Sequence, residues 1–266
     1  MACCTACRER HDTAKTVHST LRQAMLLKTK RVGSILVYTV SMYLVTHLIV
    51  LFFLFPVGVP LLVLDATSGY RIKKRVTGML FTIIGQRLKV TGLDRLEPDK
   101  KYVVVSNYPG SYAGFALMNV FPDASIFVHS FLSKVPIVGF LLKRTGATFV
   151  RRRRYGRSKR AIDEMLKHLE NRSIVVLPEG GRSPDGRIRR FKRGFIYVLR
   201  NSSMDLLPVT LNGFHKLKPV RRAYVDPDAD LELLIHKPVS HAVLSSLSDQ
   251  ALLKLTKDMI EVPYRP

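Results

Sequence analysis

The sequence has no tryptophan, and its three cysteines, Cys3, Cys4 and Cys7, all precede residue 8. The rest of the chain carries no thiol, so it has no internal disulfide framework, which fits a reducing compartment. With His11 the cysteines make a Cys4-x-x-Cys7-x-x-x-His11 string, too little for a zinc site. Lipidation of these cysteines and an untethered tail both fit it. Acidic residues are scarce, with 20 Asp and Glu against 43 Lys and Arg. The net charge of +23 and pI near 10.3 call for an anionic partner: nucleic acid, acidic lipid or a phosphorylated substrate. No zinc finger, RNP-like aromatic motif or helix-turn-helix signal is present, which argues against nucleic acid. A hydrophobic content of 47% argues against a disordered basic protein. The chain also has no internal repeat and no low-complexity linker.

Charge of either sign is missing from Val32–Leu64. A spanning helix needs about 20 apolar residues. This run is too long for one straight span, and Pro56 and Pro60 interrupt its second half. The pattern predicts a helix from Ser34 to Phe55, then a break. The remainder re-enters the membrane surface or packs on the domain. Lys28, Lys30 and Arg31 precede the run and Arg71, Lys73, Lys74 and Arg75 follow it, so the charge bias gives no orientation. A hairpin or monotopic anchor with both ends on the cytoplasmic face fits that symmetry. Upstream, Asp12–Arg31 places Val17, Leu21 and Met25 at helical spacing, as in a helix lying on an anionic surface or a solvated tail. The expected division is a basic tail over 1–31, a membrane anchor over 32–64 and a folded domain over 65–266.

From residue 65 onward, strand-like and helix-like patterns alternate. Arg71–Gln86 has helical spacing at Val76, Met79, Leu80 and Ile83. Strands are predicted at Leu88–Thr91, Tyr102–Ser106, Ser125–Val128, Ala147–Val150, Ser173–Leu177, Leu206–Leu211 and Leu231–His236. Helices are predicted at Tyr112–Asn119, Ile137–Lys143, Ser158–Glu170, Gly194–Asn201 and Ser248–Ile260. Alternation of this kind means an α/β fold, a mixed, mostly parallel sheet with helices on both faces.

The stretch Val176–Gly186 concentrates the chemistry. A buried strand stops at Pro178, and Glu179, Gly180, Gly181, Arg182 and Ser183 follow. Glycine lets backbone N–H groups approach a ligand. A guanidinium can hold a phosphate through two parallel hydrogen bonds. Glu179 would partner Arg182 or take a ligand hydroxyl; the plainer alternative is a polar turn with a surface ion pair. Three basic clusters lie near such loops: Arg151–Arg154 with Arg157, Lys159 and Arg160; Arg187, Arg189, Arg190, Lys192 and Arg193; and Lys216, Lys218, Arg221 and Arg222. They read as a headgroup or carrier-docking surface.

Leu177–Ser183 resembles the Phe-Pro-Glu-Gly-Thr-Arg-Ser signature of the glycerophospholipid acyltransferases, the lysophosphatidic acid acyltransferase family. Phe191-Lys192-Arg193-Gly194 matches its Phe-Lys-x-Gly, and Pro208-Val209 its late Pro-Val. Gly146-Ala147-Thr148-Phe149-Val150-Arg151-Arg152 matches its Gly-x-x-Phe-[Ile/Val]-x-Arg block. The resemblance runs from about Phe81 to near the C-terminus. It implies a glycerol-3-phosphate acyltransferase-like fold and transfer of an acyl group to lysophosphatidic acid or a similar lysophospholipid. Acyl-CoA or an acyl-carrier protein would be the donor, with no further cofactor and no metal. It places Asn107, Arg152, Glu179, Gly180, Gly181 and Arg182 on the substrate, with helix N-termini after Asn107 and Leu177 adding backbone donors.

The catalytic block departs from the family. Where the family has Asn-His-x-Ser-x-x-Asp, this chain has Asn107-Tyr108-Pro109-Gly110-Ser111-Tyr112-Ala113. Tyr108 stands at the histidine and Ala113 at the aspartate; a one-residue shift puts Gly114 there instead. Tyrosine titrates near about 10 and is a poor base at neutral pH. Tyr108, Ser111 and His129 are the local catalytic candidates. Two readings follow: a membrane-associated acyltransferase, or a silent relative that binds lysolipid or regulates an active partner.

Overall fold

The computed structural model describes residues 66–129, 133–134, 147–150, 162–163, 166, 172–220, 222 and 225–266, together with 33, 36–37, 39–41 and 44. The elements run α1 (Ala66–Ile83), β1 (Leu88–Thr91), a 3-10 turn (Leu93–Arg95), β2 (Tyr102–Ser106), α2 (Ala113–Val120), β3 (Ser125–His129), β4 (Thr148–Val150) and β5 (Ile174–Val176). Then come α3 (Gly194–Arg200), β6 (Asp205–Asn212), α4 (Phe214–Leu217), β7 (Leu231–Ile235), α5 (His241–Ser246) and α6 (Asp249–Glu261).

The strands form one seven-stranded sheet in the order β1-β7-β6-β2-β5-β3-β4. Every neighbouring pair is parallel except β6 and β7. The mixed, mostly parallel sheet is therefore as the alternation predicted. β2 is central and fully buried. Its side chains alternate between two cores: Tyr102 and Val104 meet α1, α2 and α4, while Val103 and Val105 meet α3, α5 and α6. Burial on both faces explains why this strand reads as a continuous apolar run. Burying each valine contributes about 1.5–3 kcal/mol.

The helices follow their sequence signals. In α6, Leu252, Thr256 and Ile260 recur every fourth residue and are buried. Ser248 caps it, its Oγ accepting the Ala251 N–H. Gly92 precedes the 3-10 turn at φ 87°, and a Cβ there would lie 2.4 Å from the Ile235 carbonyl oxygen. Only glycine fits, which explains the Gly92-Leu93 turn. The short helices α4 and α5 carry no strong periodicity and were not expected from it.

Among the described residues, no helix is long and apolar enough to cross a membrane. Most of the tail over 1–31 and the expected anchor over 32–64 lies outside those residues, as do the expected helix Ile137–Lys143 and most of Ser158–Glu170. The described part of the apolar run is helical at residues 33, 36, 37, 39, 40, 41 and 44. Leu36, Val37, Val40 and Leu44 point outward, each about 60% exposed. On the inner side Thr39 is buried, and its Oγ1 accepts the Val225 N–H at 3.0 Å.

Candidate active site

Three loops meet at the carboxyl ends of β2, β5 and β6, where open α/β sheets place their ligands. The first follows β2. Asn107 is buried and bonds Leu211 twice, its Nδ2 donating to the carbonyl at 3.1 Å and its Oδ1 accepting the N–H at 2.8 Å. Its amide thus prolongs the β2–β6 pairing instead of facing a ligand. Tyr108 packs its ring against the core beneath α1 and α2. Gly110 is pressed to the next loop: a Cβ there would lie 2.6 Å from the Phe214 carbonyl oxygen. Ala113 opens α2 and is fully buried, whereas a Cβ on Gly114 would have no neighbour closer than 4.0 Å. Of the two positions, Gly114 is thus the one where a side chain can start without a clash.

The second loop follows β5. No helix starts after Leu177; the chain turns, with the Gly180 N–H donating to the Leu177 carbonyl at 3.0 Å, and the next helix begins at Gly194. The helix N-terminus expected there, with its free backbone donors, is therefore absent; Glu179 lies in the turn that replaces it. This side chain is 2% exposed. Its Oε1 accepts the Tyr108 N–H at 2.7 Å and its Oε2 the Arg189 N–H at 3.0 Å. Burial pushes its carboxyl above the usual range, against the opposing pull of those two N–H bonds and of Arg189. Glu179 is thus a strut between loops rather than the arginine partner expected from the sequence.

Arg182 and Ser111 do come together. The exposed guanidinium donates from Nη1 to the Ser111 Oγ at 2.7 Å. The Ser183 N–H donates to the Tyr108 carbonyl at 3.0 Å, so the second loop crosses over the first. Ser183 Oγ donates to Asp185 and to the Arg187 carbonyl. The Arg187 backbone N–H, then the Ser183 hydroxyl, hold the Asp185 carboxyl below its ordinary value. Gly180 and Gly186 have left-handed φ values of 63° and 82°. Lys192 lies against Gly180, and a shallow cleft lined by Glu179, Arg189, Arg190, Phe191, Lys192 and Arg193 opens beside it.

A strap that sequence reasoning missed holds the second loop down. The Tyr264 hydroxyl donates to the Gly186 carbonyl at 2.7 Å. Burial, with Glu179 and Asp185 nearby, keeps that phenol protonated well above its ordinary range. Arg265 bonds Asn212 and Gly213 through its backbone and Glu232 through its guanidinium. No motif marks this segment; its only signal is a tyrosine and an arginine shortly after an amphipathic helix. Of the other sequence candidates, Arg152 lies outside the described residues. His129 ends β3 opposite Val150, and its side chain likewise lies outside the described residues. The structure therefore places only its backbone.

The family signature and this geometry agree with comparisons to known proteins. The profile of the acyltransferase family matches residues 87–212. Over that stretch the chain is similar to the acyltransferase family. The stretch spans β1 to the end of β6, including the first two loops of the site. A chloroplastic 1-acyl-sn-glycerol-3-phosphate acyltransferase of Arabidopsis thaliana is 25% identical over 65% of this chain and 49% of its own. The Borreliella burgdorferi 1-acyl-sn-glycerol-3-phosphate acyltransferase is 25% identical over 67% of this chain and 72% of its own. The chain spans about half the length of the plant relatives. The fold is like that of the 1-acyl-sn-glycerophosphate acyltransferase PlsC of Thermotoga maritima. That crystal structure matches with a TM-score of 0.72 at 22% identity, over 87% of this chain and 95% of that one.

Proposed function

We propose that the protein is a membrane-associated acyltransferase that moves an acyl group from acyl-CoA or an acyl-carrier protein to lysophosphatidic acid or a similar lysophospholipid. The observation that carries this reading is Arg182, held by Ser111 at the crossing of two acyltransferase-domain loops with no carboxylate partner among the described residues. A guanidinium held by a neutral hydroxyl keeps its charge for an incoming phosphate. Arg189, Arg190, Lys192 and Arg193 line the adjoining cleft and suit the phosphates of coenzyme A or an acidic carrier protein. Glu179 keeps the loops in register without neutralising Arg182. Arg152 is proposed as a second phosphate ligand, and Gly180 and Gly181 as the turn that brings the loop to the headgroup.

Membrane association is supported by the outward apolar residues Leu36, Val37, Val40 and Leu44, with Met79 and Phe115 exposed on α1 and α2. Exposed Arg71, Lys74 and Arg75 on α1 suit an anionic phospholipid surface. The domain would act on the cytoplasmic face, with no nucleic-acid partner and no metal or further cofactor.

A second reading, a silent relative that binds lysolipid or regulates an active acyltransferase, is favoured by Tyr108 and Ala113 at the family's histidine and aspartate. One assay separates the two. Purified full-length protein is given lysophosphatidic acid with labelled acyl-CoA or acyl-carrier protein. Phosphatidic acid should form. Binding of lysophosphatidic acid without product supports the silent relative, and neither binding nor product rejects both.

A further inference from the structure

We propose that His215 is the general base that this chain uses in place of the histidine missing at residue 108. The inference rests on the acyltransferase reading above.

His215 lies in α4, in the connection immediately after β6, the strand hydrogen-bonded to all of β2. The carbonyl of its neighbour Phe214 is packed on Gly110 in the first loop. Its own ring is packed on Gly186 in the second loop, where a Cβ would lie 2.9 Å from the His215 Cδ2. Pro266 lies beside the same glycine, its Cβ 3.3 Å from that Cβ position. Tyr264 pins Gly186, and Arg265 pins Asn212 and Gly213 just before the histidine. Such clamping from several sides limits the rotamers of an imidazole, as a base requires.

Its hydrogen bonding sets it apart. The Nδ1 atom of His215 is buried and has no hydrogen-bond partner, although the ring as a whole is only partly buried. Buried polar atoms in folded proteins are nearly always bonded, and an orphan calls for an explanation. The fold does not spend this imidazole. By contrast the His236 Nε2 is bonded to Thr210 at 2.8 Å, and burial lowers its basicity. His241 lies beyond the amino end of β6, where its N–H donates to Asp205. Among histidines with described side chains, His215 is thus the one at the carboxyl ends of the strands. Tyr108 meanwhile is partly buried against the core, with its backbone N–H and carbonyl taken by Glu179 and Ser183.

The step balances without another reagent. The imidazole of His215 takes the proton of the glycerol hydroxyl as that oxygen bonds to the thioester carbonyl carbon. Collapse of the tetrahedral adduct breaks the C–S bond. The imidazolium then returns its proton to the departing thiolate, giving the ester and a free thiol.

The test uses the full-length protein with lysophosphatidic acid and acyl-CoA, comparing wild type with His215→Gln and His215→Asn. Both variants should bind lysophosphatidic acid as wild type does, while kcat falls by about 10²–10⁴-fold, the usual share of general base catalysis. The wild-type pH–rate profile should have an acid limb, and the residual activity of the variants should lack it. Wild-type turnover that survives in both variants overturns the inference alone. A raised KM with kcat intact also overturns it, making His215 an anion ligand. A wild-type profile with no acid limb does the same without any variant. Wild-type protein with no turnover on any thioester overturns the acyltransferase reading as well.

Discussion

At the amino ends of β2, β3 and β6, lysines sit against carboxylates: Lys100 against Asp205 at 2.9 Å and Lys101 against Asp123 at 3.1 Å. At the carboxyl ends of β2 and β5 the cations are at least as dense. There Arg182, Arg187, Arg189, Arg190, Lys192 and Arg193 make no ion pair among the described residues. A buried glutamate lies among them, yet it is spent on backbone N–H groups. Composition alone cannot distinguish these two ends, since both are rich in Lys and Arg. Pairing does. One end is neutralised and structural. The other keeps its charge, lies in the stretch similar to the acyltransferase family and suits the phosphorylated lipid proposed as substrate.

The largest expected effect comes from the strut between the loops. Glu179→Ala leaves two backbone donors unsatisfied, each costing about 1–3 kcal/mol. Thermal unfolding should report a clear fall in Tm, together with loss of lysophosphatidic acid binding. A Tm equal to wild type would mean that the loops are not held this way. Glu179→Gln keeps an acceptor for one donor and should fall between the two.

Arg182→Ala should leave Tm nearly unchanged but weaken lysophosphatidic acid binding by about 1.5–3 kcal/mol, the range for a hydrogen bond to a charged group. Arg182→Lys should also be impaired, because an ammonium cannot make two parallel bonds to a phosphate. Calorimetric titration measures both. Tyr264→Phe removes one hydrogen bond and keeps the ring. It should cost about 1 kcal/mol of stability and loosen the loop that carries Arg182. Its affinity for lysophosphatidic acid should drop less than that of Arg182→Ala.

The smallest effect belongs to the neutralised end. Lys101→Ala removes a part-exposed ion pair worth about 0.2–1 kcal/mol, and lysophosphatidic acid binding should not change. A loss of binding in this variant as large as in Arg182→Ala would erase the distinction between the ends.

Much of the frame was legible in the sequence. Val103–Val105 and Ile174–Val176 read as buried strands because both of their faces meet helices. The helix expected over Ser248–Ile260 is α6, of which only the stripe Leu252, Thr256 and Ile260 is buried. The family motifs marked Arg182 and Ser111 separately, and the fold brings them together. What hydrogen bonds decide was not legible. Asn107 and Glu179 look like ligand-facing polar residues, and their side chains turn to backbone groups on other strands and loops. Alignment left Ala113 and Gly114 as alternatives for the family's aspartate; Ala113 is fully buried, while a Cβ on Gly114 meets nothing closer than 4.0 Å. His215 and Tyr264 carry no spacing signal, because the residues they meet are distant in sequence.

The most direct measurement is phosphatidic acid formation by purified wild type, Arg182→Ala and Lys101→Ala, each given lysophosphatidic acid with acyl-CoA and then acyl-carrier protein. The account predicts product from wild type and Lys101→Ala with at least one donor, and little from Arg182→Ala at substrate concentrations that serve wild type. Absence of product from wild type with both donors, or equal turnover by Arg182→Ala, would contradict it.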